Sequence, residues 1–206
     1  WNISFGQTKL PGNRQRVNSS GGLQLTDRSI NNAKFTLDRD FGFQVHNMNE
    51  FKDKFSYNFK TALSTGEGRN ITGNADAGVA VTGKVELLPF GSFSKDGTYF
   101  EGDIAREKKP KLMLSGAFQQ NNHAKRTQGQ LGDDLFEERT MKSVMLDAML
   151  KYNGWAAMSS YMSRNTTKNA ITINPEDATA FNYAFVGSGF DHQLSYVFPS
   201  NYELIG

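Results

Sequence analysis

Apolar and polar residues alternate with a period of two along much of this chain. The pattern is clearest in residues 55–64 and 79–87, where every second position is mostly aromatic or aliphatic and the positions between are polar or small. Alternation recurs in residues 1–6, 41–46, 111–119, 144–152, 155–164 and 190–198, and a last strand begins at Tyr202. A period of two is typical of β-strands whose two faces meet different surroundings. The sequence therefore predicts an all-β chain of eight or nine antiparallel strands.

The connections between these strands alternate in length, apart from residues 89–110, which are longer than a turn. Long polar connections cover residues 8–40, 65–78, 121–143 and 165–188, and short ones cover 47–54, 153–154 and 199–201. Asn153-Gly154 is a typical two-residue hairpin turn. The alternation predicts an up-and-down meander with its long loops on one rim and its short turns on the other. No stretch resembles an interdomain linker, so we expect one domain over residues 1–206.

Two architectures place alternating strands between unlike surroundings: a soluble β-sandwich and a transmembrane β-barrel. Three features favour the barrel. The strands are about as long as the roughly 9–11 residues that a tilted membrane strand needs. Aromatic residues lie at strand ends on the presumed outward face: Phe41, Phe55, Tyr57, Phe118, Tyr152, Trp155, Tyr161, Phe190 and Phe198. Charged residues lie in mid-strand on the other face, where a dry core would make them costly: Lys60, Lys84, Glu86, Asp147, Lys151 and Asp191.

Composition excludes several other classes of protein. The 206 residues include no cysteine, so a disulfide scaffold and a cysteine-ligated metal are excluded. The three histidines are far apart in sequence, and no nucleophile–base pair emerges, so we expect neither a metal, nor a cofactor, nor an enzyme. A net charge of +2 gives no reason to expect a nucleic-acid partner.

Several segments carry a resemblance to a known family. They are GTYFEGDIARE at 97–107 followed by PKL at 110–112, RTQGQ at 126–130, GQTKLP at 6–11 with a serine pair at 19–20, DRS at 27–29, and RDFG at 39–42. Taken together, and following the family's order along the chain, they resemble the phosphate-selective porin O/P family of Gram-negative outer membranes. One departure concerns Pro11-Gly12-Asn13-Arg14-Gln15-Arg16, where the family usually has Pro-Phe followed by an Arg-Glu pair.

The resemblance implies a sixteen-stranded barrel, usually a homotrimer, that passes small anions such as phosphate by passive diffusion. This chain would supply about eight or nine of those strands and would be incomplete at both ends. The expected location is the outer membrane of a Gram-negative bacterium. The expected surroundings are outer-membrane lipid and lipopolysaccharide, other copies of the chain or a larger membrane complex, and small anions in the lumen.

The resemblance also implies that the first long loop folds inward and contacts passing anions. Lys9 matches the loop's lysine, and Ser19 and Ser20 match its serine pair. The other basic residues of this region are weaker candidates for the same role: Arg14, Arg16, Arg28 and Arg39. On the inward face, alternation adds a second candidate set: Lys60, Lys84 and Lys151, with Arg164. These form either a free cationic track or pairs with Glu86, Asp147 and Asp191.

Two other functions stay open. In the first, the barrel is a structural subunit whose long loops dock a partner and whose lumen is plugged or conducts poorly. The second is a soluble β-sandwich that acts as a recognition module. Dependence on detergent during extraction separates the sandwich from both barrels.

Overall fold

A computed structural model of the protein describes residues 1–71 and 78–206, in which nine strands form one antiparallel sheet. The strands of the sheet, in order, are β1 (Asn2–Lys9), β2 (Arg39–Asn49), β3 (Ser56–Ser64), β4 (Ala80–Leu88), β5 (Lys111–Arg126), β6 (Asp134–Tyr152), β7 (Trp155–Thr166), β10 (Gly187–Val197) and β11 (Glu203–Ile205). Two short strands, β8 (Ile171–Ile173) and β9 (Phe181–Tyr183), pair separately. Within the described ranges the large sheet is not closed, and β1 and β11 are its edges. The predicted antiparallel meander is thus confirmed.

The strand order sorts the connections onto two rims. Residues 10–38, 65–79, 127–133 and 167–186 connect strands at one end of the sheet, which we call the long-loop rim. Residues 50–55, 89–110, 153–154 and 198–202 connect strands at the other end, the short-turn rim. Part of the predicted loop 65–78 lies outside the described residues. Residues 89–110 are the one long connection on the short-turn rim, as the sequence indicated.

The predicted loop at 121–143 is wrong, because most of it is strand. β5 continues to Arg126 and β6 already begins at Asp134, and the two pair through Ala124↔Arg139 and Arg126↔Asp134 with register shifts on the way. Apolar residues in this part of the hairpin are few and irregularly spaced, as in the adjacent Leu135 and Phe136, so no apolar alternation marks it. Backbone hydrogen bonds between β5 and β6 form the strands here, and hydrophobic periodicity does not predict such bonds. The predicted loop at 165–188 likewise contains β8 and β9.

Segment 10–38 contains two short helices, α1 (Arg14–Val17) and α2 (Ile30–Phe35), and a 3-10 turn at Ser20–Gly22. The side chain of Ser29 accepts a hydrogen bond from the Asn32 amide and so caps α2. Segment 89–110 contains a second 3-10 stretch, Ser94–Tyr99.

The two faces of the sheet differ in composition and exposure. On the outer face, the nine aromatic residues predicted to point outward are all exposed. On the inner face, charged residues are buried: Lys84 is 2% exposed, and Lys151 and Arg164 are each 1% exposed. Soluble proteins show the opposite arrangement, with apolar rows buried and charged rows in water.

Segments 10–38 and 89–110 cover the inner face. Leu10 and Leu37 form a buried apolar cluster with four residues of the sheet: Ala62, Ala117, Met145 and Met162. Phe93 packs in a second cluster with Leu88, Met113 and Met149. Methionine suits such contacts because its flexible side chain fills irregular gaps. These two small clusters fix both segments against an otherwise polar surface.

Candidate functional site

Arg164, in β7, forms polar contacts that join the sheet to segment 10–38. Its guanidinium donates to the carbonyls of Lys34, Phe35 and Thr36 at 3.0 to 3.1 Å, at the end of α2. Helix ends leave such carbonyls without partners and carry a partial negative charge, so a cation fits there. Arg164 therefore fixes the end of α2 against the inner face.

Lys84 and Lys60, on the neighbouring strands β4 and β3, share one carboxylate. The Lys84 amine lies 3.0 Å from Glu86 and donates to the carbonyl of Gly12 at 2.9 Å. The Lys60 amine lies 3.0 Å from the other oxygen of Glu86. The sequence left open whether these lysines form a free cationic track or pair with carboxylates. The structure shows that both pair with Glu86.

Lys151, in β6, contacts the other covering segment. Its buried amine donates to the carbonyls of Gly97, Phe100 and Gly102 at 2.7 to 2.8 Å. These three bonds use every proton of the ammonium group. Lys151 thus fixes segment 89–110 rather than presenting a bare charge.

Four of the sequence-predicted cations lie together where β1 meets β2, and we call them the Lys9 cluster: Lys9, Arg16, Arg28 and Arg39. The Lys9 amine donates to the carbonyls of Val17 and Asn18 at 3.1 and 3.3 Å. Ser19 and Ser20, the next two residues, are exposed.

Arg28 and Arg39 differ in how they are held within the Lys9 cluster. Arg28 donates to the carbonyls of Gln15 and Asn18. Arg39 is exposed and faces Lys9 across the β1–β2 ladder. The structure therefore brings most of the predicted loop cations to one place, with Arg39 the most accessible of them.

Asp38 anchors this cluster and was not singled out by the sequence. Its fully buried carboxylate pairs with Arg16 and with Arg69, whose Nε lies 2.6 Å away. Burial alone would raise the pKa of Asp38, but hydrogen bonds from Arg69 and Arg16 outweigh it, so the pKa lies below its usual value. The same bond raises the pKa of Arg69. Nothing in the sequence pattern indicates that residues 31 positions apart pair in this way.

Arg14, in α1, is the least satisfied cation on the inner face. It is 7% exposed, and its Nη1 donates only to the sulfur of Met113 at 3.2 Å. Among the described residues, its Nε and Nη2 have no hydrogen-bond partner. Burial lowers the pKa of Arg14, while Glu86 and Asp147 oppose this shift. A guanidinium stays protonated under such conditions, so a buried positive charge with free donors remains.

A cavity of about 200 Å³ lies beside Arg14, and its lining also includes Arg28, Ser29 and three carboxylates: Asp27, Asp147 and Asp191. Each carboxylate already accepts a hydrogen bond, from the Arg28 amide at 2.7 Å, the Arg14 amide at 3.2 Å and the Ser29 hydroxyl at 2.9 Å, respectively. Among the described residues of this lining, Arg14 has buried nitrogens that lack a partner. An oxyanion would supply the acceptors that the guanidinium lacks.

Metal-ligand clusters and membrane-spanning helices are both absent from residues 1–71 and 78–206. No group of three or more histidine, aspartate or glutamate side chains there is arranged to hold a metal ion. No helix in these ranges is long and apolar enough to cross a membrane. Comparisons of the chain with protein-family models, with curated proteins and with solved structures found no match.

Proposed function

We propose that the chain is part of a transmembrane β-barrel of a Gram-negative outer membrane and that its inner face lines a path for small anions. One observation carries the proposal: the apolar rows of the sheet are exposed while the ionisable rows are buried under polar segments. Leu146 and Phe118 are 50% and 48% exposed, whereas Lys84 and Arg164 are at most 2% exposed. A bilayer outside and a polar lumen inside account for both faces.

The dimensions of the sheet support the same proposal. β2, β3, β4 and β10 contain 9 to 11 residues, which is the length that a tilted strand needs to cross a membrane. Both edges of the described sheet lack a neighbour, and barrels remove edges by pairing them. Further strands pairing with β1 and β11 would give the sixteen-stranded barrel, assembled as a trimer, that the resemblance implies.

The charges of the inner face support a preference for anions. Arg14 has guanidinium donors free beside a cavity, and the Lys9 cluster places four cations around one buried carboxylate, Asp38. Surplus positive charge in the Lys9 cluster and unused donors on Arg14 attract anions and replace part of their hydration shell. Phosphate is the anion that the family resemblance favours.

Reversal-potential measurements in planar bilayers on the full-length protein test this proposal. We expect anions to carry most of the current, and phosphate to block the chloride current. Arg14→Gln should weaken the block about tenfold, the factor expected when a charge-assisted hydrogen bond of about 1.5 kcal/mol is lost. Lys9→Ala should weaken it too, while Lys168→Gln, on an exposed loop, serves as the control. A preference for cations in the unmodified protein would contradict the proposal.

A plugged barrel that serves as a structural subunit is the second candidate. Lys84, Lys151 and Arg164 all bind backbone carbonyls, so they hold the covering segments firmly on the inner face. A firmly held segment is able to seal a lumen as well as to narrow it. Insertion into the bilayer without measurable single-channel current would favour this candidate over the open pore.

A further inference from the structure

A basic pocket on the short-turn rim lies apart from the Arg14 cavity and from the Lys9 cluster. It has a volume of about 470 Å³ between the β2–β3 turn and segment 89–110. Six basic residues line it: Lys52, Lys95, Arg106, Lys108, Lys109 and Lys111. The only acidic residues in its lining are Asp53 and Glu107. The pocket therefore has a surplus of positive charge.

Both acidic side chains of the pocket are already engaged. The Glu107 carboxylate accepts hydrogen bonds from the amide and the hydroxyl of Ser94. Asp53 lies 3.5 Å from the Lys111 amine and 3.9 Å from the Lys109 amine. Two carboxylates against six basic side chains leave the pocket with an excess of four positive charges.

Three lysines of the pocket keep their charge available. Lys52, Lys95 and Lys108 are exposed, and in the part of the chain that the structure describes they form no ion pair and no side-chain hydrogen bond. By contrast, the Lys111 amine is buried and donates to the carbonyls of Lys52 and Phe90. Lys111 thus fixes the wall of the pocket, and the exposed lysines face the solvent at its mouth.

Two basic residues of the pocket, Lys95 and Arg106, have an unusual backbone conformation. Lys95 and Asp96 have φ of 49° and 56°, and Arg106 has φ of 49°, all in the left-handed region that non-glycine residues rarely adopt. Such conformations cost energy and cluster at binding sites. Arg106 is held there by bonds to the Asn153 and Val197 carbonyls.

Exposed aromatic residues lie next to the basic pocket. Phe51, Phe55 and Phe90 are 54%, 56% and 52% exposed, and they flank the β2–β3 turn and the end of β4. Aromatic rings at the end of a membrane strand lie at headgroup depth. Lysines beside such rings are placed to meet the phosphate of a lipid while the rings meet its acyl chains.

We propose that this pocket binds the headgroup of an anionic phospholipid. The inference rests on the membrane location proposed above, and it adds a lipid site on the short-turn rim that the passage of anions does not need. A free phosphate ion would account for the lysines but not for the exposed rings beside them. The rings are the reason to assign a lipid.

Native mass spectrometry of the full-length protein, extracted in detergent and titrated with phosphatidylglycerol or phosphatidylcholine, tests the assignment. We expect a preference for phosphatidylglycerol. In the double variant Lys95→Gln/Lys108→Gln, the affinity for phosphatidylglycerol should fall about five- to thirtyfold. Each lysine near an anionic headgroup raises the binding constant several-fold. Lys142→Gln/Lys168→Gln removes the same charge from exposed positions elsewhere and should keep the preference.

The outcomes separate this inference from the proposed function. Equal binding of the two lipids, or an equal loss in the control variant, overturns the lipid site while bilayer current continues to test the pore. Displacement of phosphatidylglycerol by inorganic phosphate also overturns it, because the pocket would then recognise the free ion. A protein that does not insert into bilayers overturns both proposals.

Discussion

Arg164 is a buried cation on the inner face whose hydrogen bonds are nearly all satisfied. It donates to the Ser143 hydroxyl and to three carbonyls at the end of α2. A buried guanidinium without such partners would carry a large desolvation cost. Arg14, only 7% exposed and with two nitrogens unpartnered, bears that cost. The contrast between the two residues is why Arg14 is the better candidate for contact with an anion.

Asp38 leads to a prediction at the scale of a single residue. Asp38→Asn keeps the shape of the side chain but removes the charge that Arg16 and Arg69 share. We expect a loss of about 1–3 kcal/mol in the free energy of unfolding at neutral pH, because the pair lies between exposed and buried ion pairs in strength. Denaturant titration in detergent micelles measures it. Asp133→Asn, at an exposed position, is the control and should change little.

The direction in which the free energy of unfolding changes with pH also tests the role of Asp38. The folded pKa of Asp38 lies below the ordinary value of 3.8, so its stabilisation is fully present above that value and is lost as the pH falls through the folded pKa. The unmodified protein should therefore lose more stability than Asp38→Asn between about pH 5 and about pH 2. Parallel losses in both proteins would mean that the carboxylate does not carry this interaction.

The sequence indicated which side chains face inward but not what they contact. Lys84 and Lys151 follow the period of two, so their face was predictable. Their partners, the carbonyls of Gly12 and Gly97, lie 72 and 54 residues away in the chain. Carbonyls have no residue-specific signature, so only the path of the covering segments reveals these contacts.

At the scale of elements, the strands that were predictable are those with unlike faces. β3 and β4 alternate throughout, and their bounds differ by one residue from the alternating stretches. The parts of β5 and β6 near the long-loop rim contain few apolar residues, and these do not alternate, so the pattern there predicted a loop. Hydrophobic periodicity detects a strand only where apolar and polar residues alternate, so a strand without that alternation escapes it.

Segment 10–38 gives a prediction at this scale. Arg164→Gln removes most of the bonds to the end of α2, so hydrogen exchange of the amides in residues 30–37 should become about tenfold faster or more. Mass spectrometry after deuterium labelling measures it. Arg126→Gln changes the same residue type at a half-exposed position whose ion pair, with exposed Asp134 at 3.9 Å, is weak. Unchanged exchange in Arg164→Gln would mean that other contacts, such as the apolar cluster of Leu10 and Leu37 and the Ser29–Asp191 hydrogen bond, hold the segment.

The whole molecule presents an outer face that water would solvate poorly. Phe190, Leu146 and Val81 are 68%, 50% and 49% exposed, on three different strands of one continuous sheet. Soluble monomers rarely expose a continuous apolar surface of this kind. The same rows, placed in a bilayer, are in their preferred surroundings, which is the basis of the membrane proposal.

Leu146→Arg tests the membrane proposal for the whole molecule. Leu146 lies midway along the paired part of β6, so an arginine there would meet the bilayer near its midplane and cost about 2–4 kcal/mol of folding free energy. If water covered this face instead, an exposed leucine replaced by arginine would change stability by no more than about 0.5 kcal/mol. Folding titrations of the full-length protein into lipid vesicles give the value.

Phe136→Arg is the matched control for this test. Phe136 is 42% exposed, similar to Leu146, but it lies on the part of β6 that extends past its pairing with β7, which begins at Met141. Near or beyond the membrane surface the cost of an arginine falls to about 0–1 kcal/mol. A large loss for Leu146→Arg and a small one for Phe136→Arg is the depth dependence that a bilayer imposes. Equal effects at the two positions would mean that the outer face does not meet lipid.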